Sequence, residues 1–236
     1  MILSAFLLGL AKSGFKGLGV IIVTLMAMAI TAKESTGVVL PLLVVADIMA
    51  VYYYRKDVQM KILLSILPFM ILGVLTGVLV GDHISAVVFK KLMAGIILIS
   101  AFIMIYISRQ TMSNDIARKP RLAALIGFVS GFTTMIGNLA GPFVNLYFIA
   151  INTTKNQFIA TVAWIFFIIN VFKVPFHIWV WDTINAESLY LDLKLLPVVI
   201  TGFIVGYKLI SYVSDALFRK YIIAMTILGA VLIFIN

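Results

Sequence analysis

Long apolar stretches follow one another along the chain, separated by short polar connections, and eight of them are long enough to matter. The first runs from Ile2 to Thr31 and is interrupted around Lys12–Gly19. The next three cover about Thr36 to Tyr54, Met60 to Gly81 and Val88 to Ile107. After the polar linker Ser108–Arg121, a fifth runs from Leu122 to Ile151, interrupted at Ile136–Pro142. The last three cover Phe158 to about Trp181, Leu195–Val213 and Phe218–Ile235. Such runs predict membrane-spanning helices, each needing about twenty residues to cross the hydrocarbon. The first and fifth, at about thirty residues, are too long for one straight span and carry Gly, Pro and polar residues at their centres. Each is either a long kinked span or a re-entrant pair of half-helices. Irregular backbone at membrane depth is tolerated only where it is buried or lines a cavity.

The pattern repeats. The stretch from Leu67 returns from Leu196 without a gap, so that Pro68, Gly73, Gly77, Ser85, Phe89 and Lys91 fall on Pro197, Gly202, Gly206, Ser214, Phe218 and Lys220. The interrupted segment from Gly9 (GLAKSGFKGLG) answers GFVSGFTTMIG from Gly127 at a smaller offset. Residues 1–107 and 122–236 are therefore two homologous halves joined by a basic linker, 108–121, expected to be cytoplasmic. Paired Gly/Pro-interrupted segments in duplicated halves point to a transporter's substrate site. Loop charge bears on the symmetry. With the linker inside, re-entrant first and fifth segments make the halves inverted and bring Arg55, Lys56, Lys61, Lys155, Arg219 and Lys220 inside too. Spanning segments make the halves parallel and send Lys155, Arg219 and Lys220 outside. Lys90 and Lys91 fall outside either way. The inverted arrangement fits better.

Composition sharpens this picture. The 236 residues are 63% hydrophobic and 11% charged, with mean hydropathy +1.17, which excludes a soluble globular domain. The absence of cysteine excludes disulfides, thiolate metal sites and cysteine nucleophiles. The net charge of +9 is spread along the loops, where Lys and Arg set topology and meet anionic headgroups; nucleic acid is not an expected partner. No signal peptide is expected, for want of a basic n-region and with Lys12 interrupting the only apolar candidate.

Few ionisable residues lie within the apolar segments: Lys12, Lys16, Asp47, Lys173, His177 and Lys208. A lysine at the bilayer centre costs about 2.5–3.5 kcal/mol even on the lenient scale, so it faces a cavity or a counter-charge. Lys12 and Lys16 flank the first interruption. A half-helix starting near Gly17 would aim its N–H groups and positive dipole end at them, making an anion site. Near the matching interruption, Thr133, Thr134 and Asn138 offer neutral donors, and Gly141-Pro142 opens the second half-helix, where proline is favoured. The alternative is a pair of lysines in a solvated surface loop. Lys173, between Asn170 and the bend expected at Pro175, is either a third wall of that cavity or a lysine snorkelling to the interface. Asp47 is the only acid well inside a span. It is either a structural ion-pair partner or, if desolvation raises its pKa, a carrier of the coupling proton. His177, beside Trp179 and Trp181, reads as part of an interfacial aromatic belt, the alternative being a proton relay. Lys208 reads as a snorkelling residue, and Gly73, Gly77, Gly202 and Gly206 as small-residue helix contacts. No enzyme motif, cofactor site or metal-ligand set emerges.

At KSGFKGLG (Lys12–Gly19), STGVVLPLLVVADIMAVYYYR (Ser35–Arg55), GFTTMIGNLAGPFVNLYF (Gly131–Phe148) and FIATVAWIFFIINVFKVPF (Phe158–Phe176), together with the two LP…G…G segments, the chain resembles the TauE/SafE sulfite and organosulfonate exporters. The family-like positions are Lys12, Gly14, Gly17, Gly19, Pro41, Asp47, Asn138, Gly141, Pro142, Asn170, Lys173 and Pro175; Lys16 departs from the expected small or neutral residue. The resemblance implies an all-α, multi-pass protein of the cell inner membrane, each half a broken segment plus three helices. It also implies a secondary transporter that exports small anions such as sulfite, sulfonates or carboxylates, with a site between the halves and alternating access. A homo-oligomer is compatible with it. An anion channel and a non-transporting membrane partner protein are the competing readings.

Overall fold

A computed structural model describes residues 1–85, 87–89, 91–92, 95–96, 99, 102, 120–218, 220–222 and 224. The fourth segment, the linker and the eighth segment lie largely outside these residues, Lys90 and Arg219 entirely so.

Among the described residues the chain is helical, with no strand. It forms α1 (Ile2–Lys12), α2 (Gly19–Ala29), α3 (Ala32–Tyr54), α4 (Met60–His83), α5 (Pro120–Gly137), α6 (Gly141–Ala150), α7 (Lys155–Trp179) and α8 (Ala186–Ser211). Five of these, α3, α4, α5, α7 and α8, are long and apolar enough to cross a membrane. By contrast α1, α2 and α6 have 11, 11 and 10 residues, which at about 1.5 Å rise per residue is half a bilayer. Both interrupted segments are thus pairs of helices, not kinked rods.

Local sequence explains the interruptions. After Lys12 the chain adopts left-handed backbone at Gly14 (φ 137°) and Gly17 (φ 97°), conformations open to glycine and costly for a side chain with a Cβ. The second interruption uses Asn138 (φ 55°), an asparagine being the residue that tolerates this region best after glycine. Pro142 then sits in the first turn of α6, where its missing N–H costs nothing. Thr31 caps α3 by accepting from Glu34 N, and Thr154 caps α7 by accepting from Gln157 N. These two threonines occupy matching positions in the two halves.

The halves exchange their packing partners. The broken segment of the first half lies on α8 of the second, and that of the second half lies on α4 of the first. In each case glycines let backbones touch. A Cβ on Gly9 would stand 2.0 Å from Val199 O, on Gly202 2.2 Å from Phe6 O, on Gly131 2.0 Å from Met70 O, and on Gly73 2.1 Å from Phe128 O. The small-residue contacts expected at Gly73, Gly77, Gly202 and Gly206 are therefore present, each to the other half. Gly202 faces Phe6 and Gly206 faces Leu10 and Ser13, so α1 runs in the same direction as the end of α8. Gly127 faces Ile66 and Gly131 faces Met70, so α5 likewise runs with α4.

At the centre, α3 and α7 pack antiparallel. Gly37 abuts Thr183 beyond the end of α7, Asp47 meets Asn170 mid-helix, and Gln59, just past α3, donates to Thr161. The faces of α4 turned away from the core, at Leu64, Leu72, Leu75 and Leu79, are exposed. Such an apolar surface has lipid as its natural neighbour.

Candidate functional site

The two interruptions come together against α3 and α7, and a chain of hydrogen bonds joins them. Lys12 Nζ donates to Asp47 Oδ1 at 2.6 Å, and Asn170 Nδ2 donates to Asp47 Oδ2 at 2.7 Å. Lys173 Nζ, on the next turn of α7, donates to Asn138 Oδ1 at 2.6 Å, to Thr134 Oγ1 at 3.3 Å and to Asn170 Oδ1 at 3.5 Å. Asn138 Nδ2 in turn donates to Thr36 O at 3.2 Å. Asp47 and Asn170 are spaced 123 residues apart, as are the matching caps Thr31 and Thr154. The Asp47–Asn170 hydrogen bond thus joins α3 to α7 at mid-helix.

This network borders a cavity of about 80 Å³, walled on its apolar side by Leu8, Ile22, Val39 and Phe166. That is enough for several water-sized groups, or one small anion, at roughly 10–15 Å³ each. Of the residues singled out from sequence, Lys12, Lys16, Gly17, Gly19, Thr134, Asn138, Gly141 and Asn170 line it. Four stand elsewhere. Gly14 packs against Ile159 and Ile210, and the Thr133 hydroxyl is turned to Ser130 O at 3.3 Å. Lys173 lies behind the wall, wholly buried, and reaches the cavity through Thr134, Asn138 and Asn170. Asp47 is also wholly buried, with both carboxylate oxygens engaged.

The lysines are not in a solvated loop: Lys12 is 8% exposed and Lys16 6%. Lys12 has its counter-charge in Asp47 and also sits 4.8 Å over the Phe166 ring. The Lys16 ammonium, by contrast, has no hydrogen-bond or ion-pair partner among the described residues. Beside it open the N-termini of α2 and α6, whose first residues Gly19 and Gly141 line the cavity and whose caps, Leu18 and Ala140, offer no side-chain acceptor. The first N–H groups of a helix have no partner within it. The cavity therefore gathers an ammonium, two positive helix ends and several neutral donors, the requirements of an anion site.

Sequence reasoning passed over Asn145, the lone amide in the apolar α6, which lines the cavity and whose Oδ1 has no partner among the described residues. Its being the one carboxamide in GPFVNLYFIA was the available signal. His177 departs from the aromatic-belt reading. It is wholly buried one turn beyond Lys173, with Nδ1 2.8 Å from Thr183 Oγ1 and its ring edge-on to Trp181. Trp181 is buried too, donating to Val78 O at 3.3 Å, while Trp179 alone is exposed, at 79%. Lys208 is exposed, as expected of a snorkelling residue.

Five helices long and apolar enough to cross a membrane, with a charged pocket between two helix breaks, are the make-up of a multi-pass membrane protein of the transporter class. The family model for the sulfite exporters TauE/SafE matches residues 1–233, and the chain belongs to that family. Neither a curated protein nor a solved structure matches it.

Proposed function

We propose that this protein exports a small oxyanion of the sulfite or sulfonate kind, binding it between the helix breaks and moving it by alternating exposure of the site. The observation that carries this reading is Lys16, a buried residue that lines the cavity with no hydrogen-bond or ion-pair partner for its ammonium among the described residues, where two uncapped helix N-termini open onto the same space. A buried charge left unpaired is costly, and an anion in the cavity supplies what the protein does not. Thr134, Asn138 and Asn170 offer hydrogen-bonding groups to its oxygens, and Lys173 holds all three in place.

The halves form inverted repeats in this reading. Its support is that the equivalent helices α3 and α7 pack antiparallel, so the first broken segment enters from the face opposite to that of the second. One end of the bundle then collects Arg55, Lys56 and Lys155, the cytoplasmic end by the positive-inside rule. Rocking of one half against the other about the Asp47–Asn170 contact would expose the cavity to each side in turn.

The test is counterflow. In vesicles reconstituted with the protein and loaded with unlabelled sulfite, external labelled sulfite should accumulate transiently and saturably above equilibrium. A channel gives no such overshoot. Absence of saturable flux for sulfite, sulfonates and small carboxylates alike would sink the carrier reading.

A further inference from the structure

We propose that the cavity takes its anion in a doubly charged form, and that Lys16 is the residue that sets this preference. The inference rests on the anion-carrier reading and adds the charge of the cargo and the side chain that measures it.

The argument is one of charge balance in a dry site. Three lysines, Lys12, Lys16 and Lys173, are each more than nine-tenths buried around the helix breaks, and Asp47 is the one carboxylate in their network among the described residues. The other titratable group near Lys173, His177, is turned away to Thr183. Asp47 is spent on Lys12 at 2.6 Å, and the partners of Lys173 are all neutral oxygens. With the lysines protonated, two positive charges stand in excess, one lining the cavity on Lys16 and one just behind its wall on Lys173. A singly charged anion offsets half of that excess; a dianion offsets all of it. Poorly screened charges in a low-dielectric site interact far more strongly than in water, so the second negative charge is worth a large factor in affinity.

Geometry separates the roles. Lys173 is held by three hydrogen bonds and acts on the ligand through Thr134, Asn138 and Asn170. Lys16 has no hydrogen-bond or ion-pair partner among the described residues and borders the cavity itself, between Gly14 and Gly17 of the glycine-built turn. Its contribution is therefore the one a ligand meets directly, and the one that a neutral residue at this position lacks.

Sulfate and methanesulfonate are nearly the same size and differ in charge. Titrated calorimetrically at neutral pH and constant ionic strength into the detergent-solubilised full chain, sulfate should bind at least tenfold more tightly than methanesulfonate. Lys16→Gln should weaken sulfate at least tenfold and methanesulfonate less than threefold, and its retained methanesulfonate binding shows that it folds. Lys16→Arg should keep the preference. Equal affinities in the parent protein, or equal losses in Lys16→Gln, overturn the dianion inference while leaving the anion site standing. If neither anion gives a saturable signal in the parent protein, the inference is overturned, and the anion-site reading is contradicted as well if sulfite and carboxylates are also silent.

Discussion

Asp47 shows how a single buried charge is kept. One oxygen faces the Lys12 ammonium and the other the Asn170 amide, so the carboxylate has both an opposite charge and a donor in place of water. Removing one partner of a buried pair is worse than removing both. Asp47→Asn should therefore lower unfolding stability in micelles by about 3–5 kcal/mol, whereas Lys12→Met with Asp47→Leu should recover most of that loss; equal stabilities of single and double variants would refute the pairing. Lys173 and Lys208 offer a matched contrast, one wholly buried with three polar contacts and one exposed. Lys173→Gln should cut anion flux more than tenfold and Lys208→Gln less than twofold, measured as initial rates in vesicles. At this scale the sequence disclosed which residue types were out of place in apolar surroundings. It did not disclose their orientation, because Thr133 and Thr134 are adjacent yet only Thr134 faces the cavity. Asn145 was overlooked because a single amide in an apolar helix looks like packing until its neighbours are known.

At the level of helices, the interruptions were legible because glycine, asparagine and proline advertise backbone that a regular helix cannot use. The glycines of the LP…G…G segments were legible as contacts, but their partners were not, since a small residue says that a backbone comes near and not whose it is. The partner turns out to be the broken helix of the opposite half in both cases, which ties the two halves together at four carbonyl contacts. Gly131→Ala places a methyl 2.0 Å from Met70 O and must push α5 from α4. Overpacking of this sort costs about 1–3 kcal/mol. By contrast a Cβ on Gly19 has nothing within 4 Å, so Gly19→Ala should leave the melting temperature in detergent unchanged. A pair of equal melting temperatures would show that the cross-packing is not what holds α5 in place.

Hydropathy alone has no direction, which is why whole-molecule topology could be narrowed from sequence but not decided by it. A thirty-residue apolar stretch serves equally as a kinked span or a hairpin, and the two choices reverse the orientation of everything after it. Loop charge leaned toward inversion. The inverted arrangement proposed above requires opposite ends for the two connections: Tyr54, Asp57, Lys155 and Tyr207 gather around one polar pocket at one end of α3 and α7, while Gly37, His177 and Thr183 gather at the other. The chain has no cysteine, so single cysteines can be introduced without a background. Lys56, Ser85, Asn156 and Glu187 are all exposed in connections or at helix starts. In oriented membranes, a membrane-impermeant maleimide applied from the cytoplasmic face should label Lys56→Cys and Asn156→Cys, and applied from the opposite face should label Ser85→Cys and Glu187→Cys. Parallel halves would move Asn156 to the side of Ser85 and Glu187 to the side of Lys56. That exchange would dismantle the inverted arrangement, and with it the symmetry on which the proposed rocking about Asp47 and Asn170 rests.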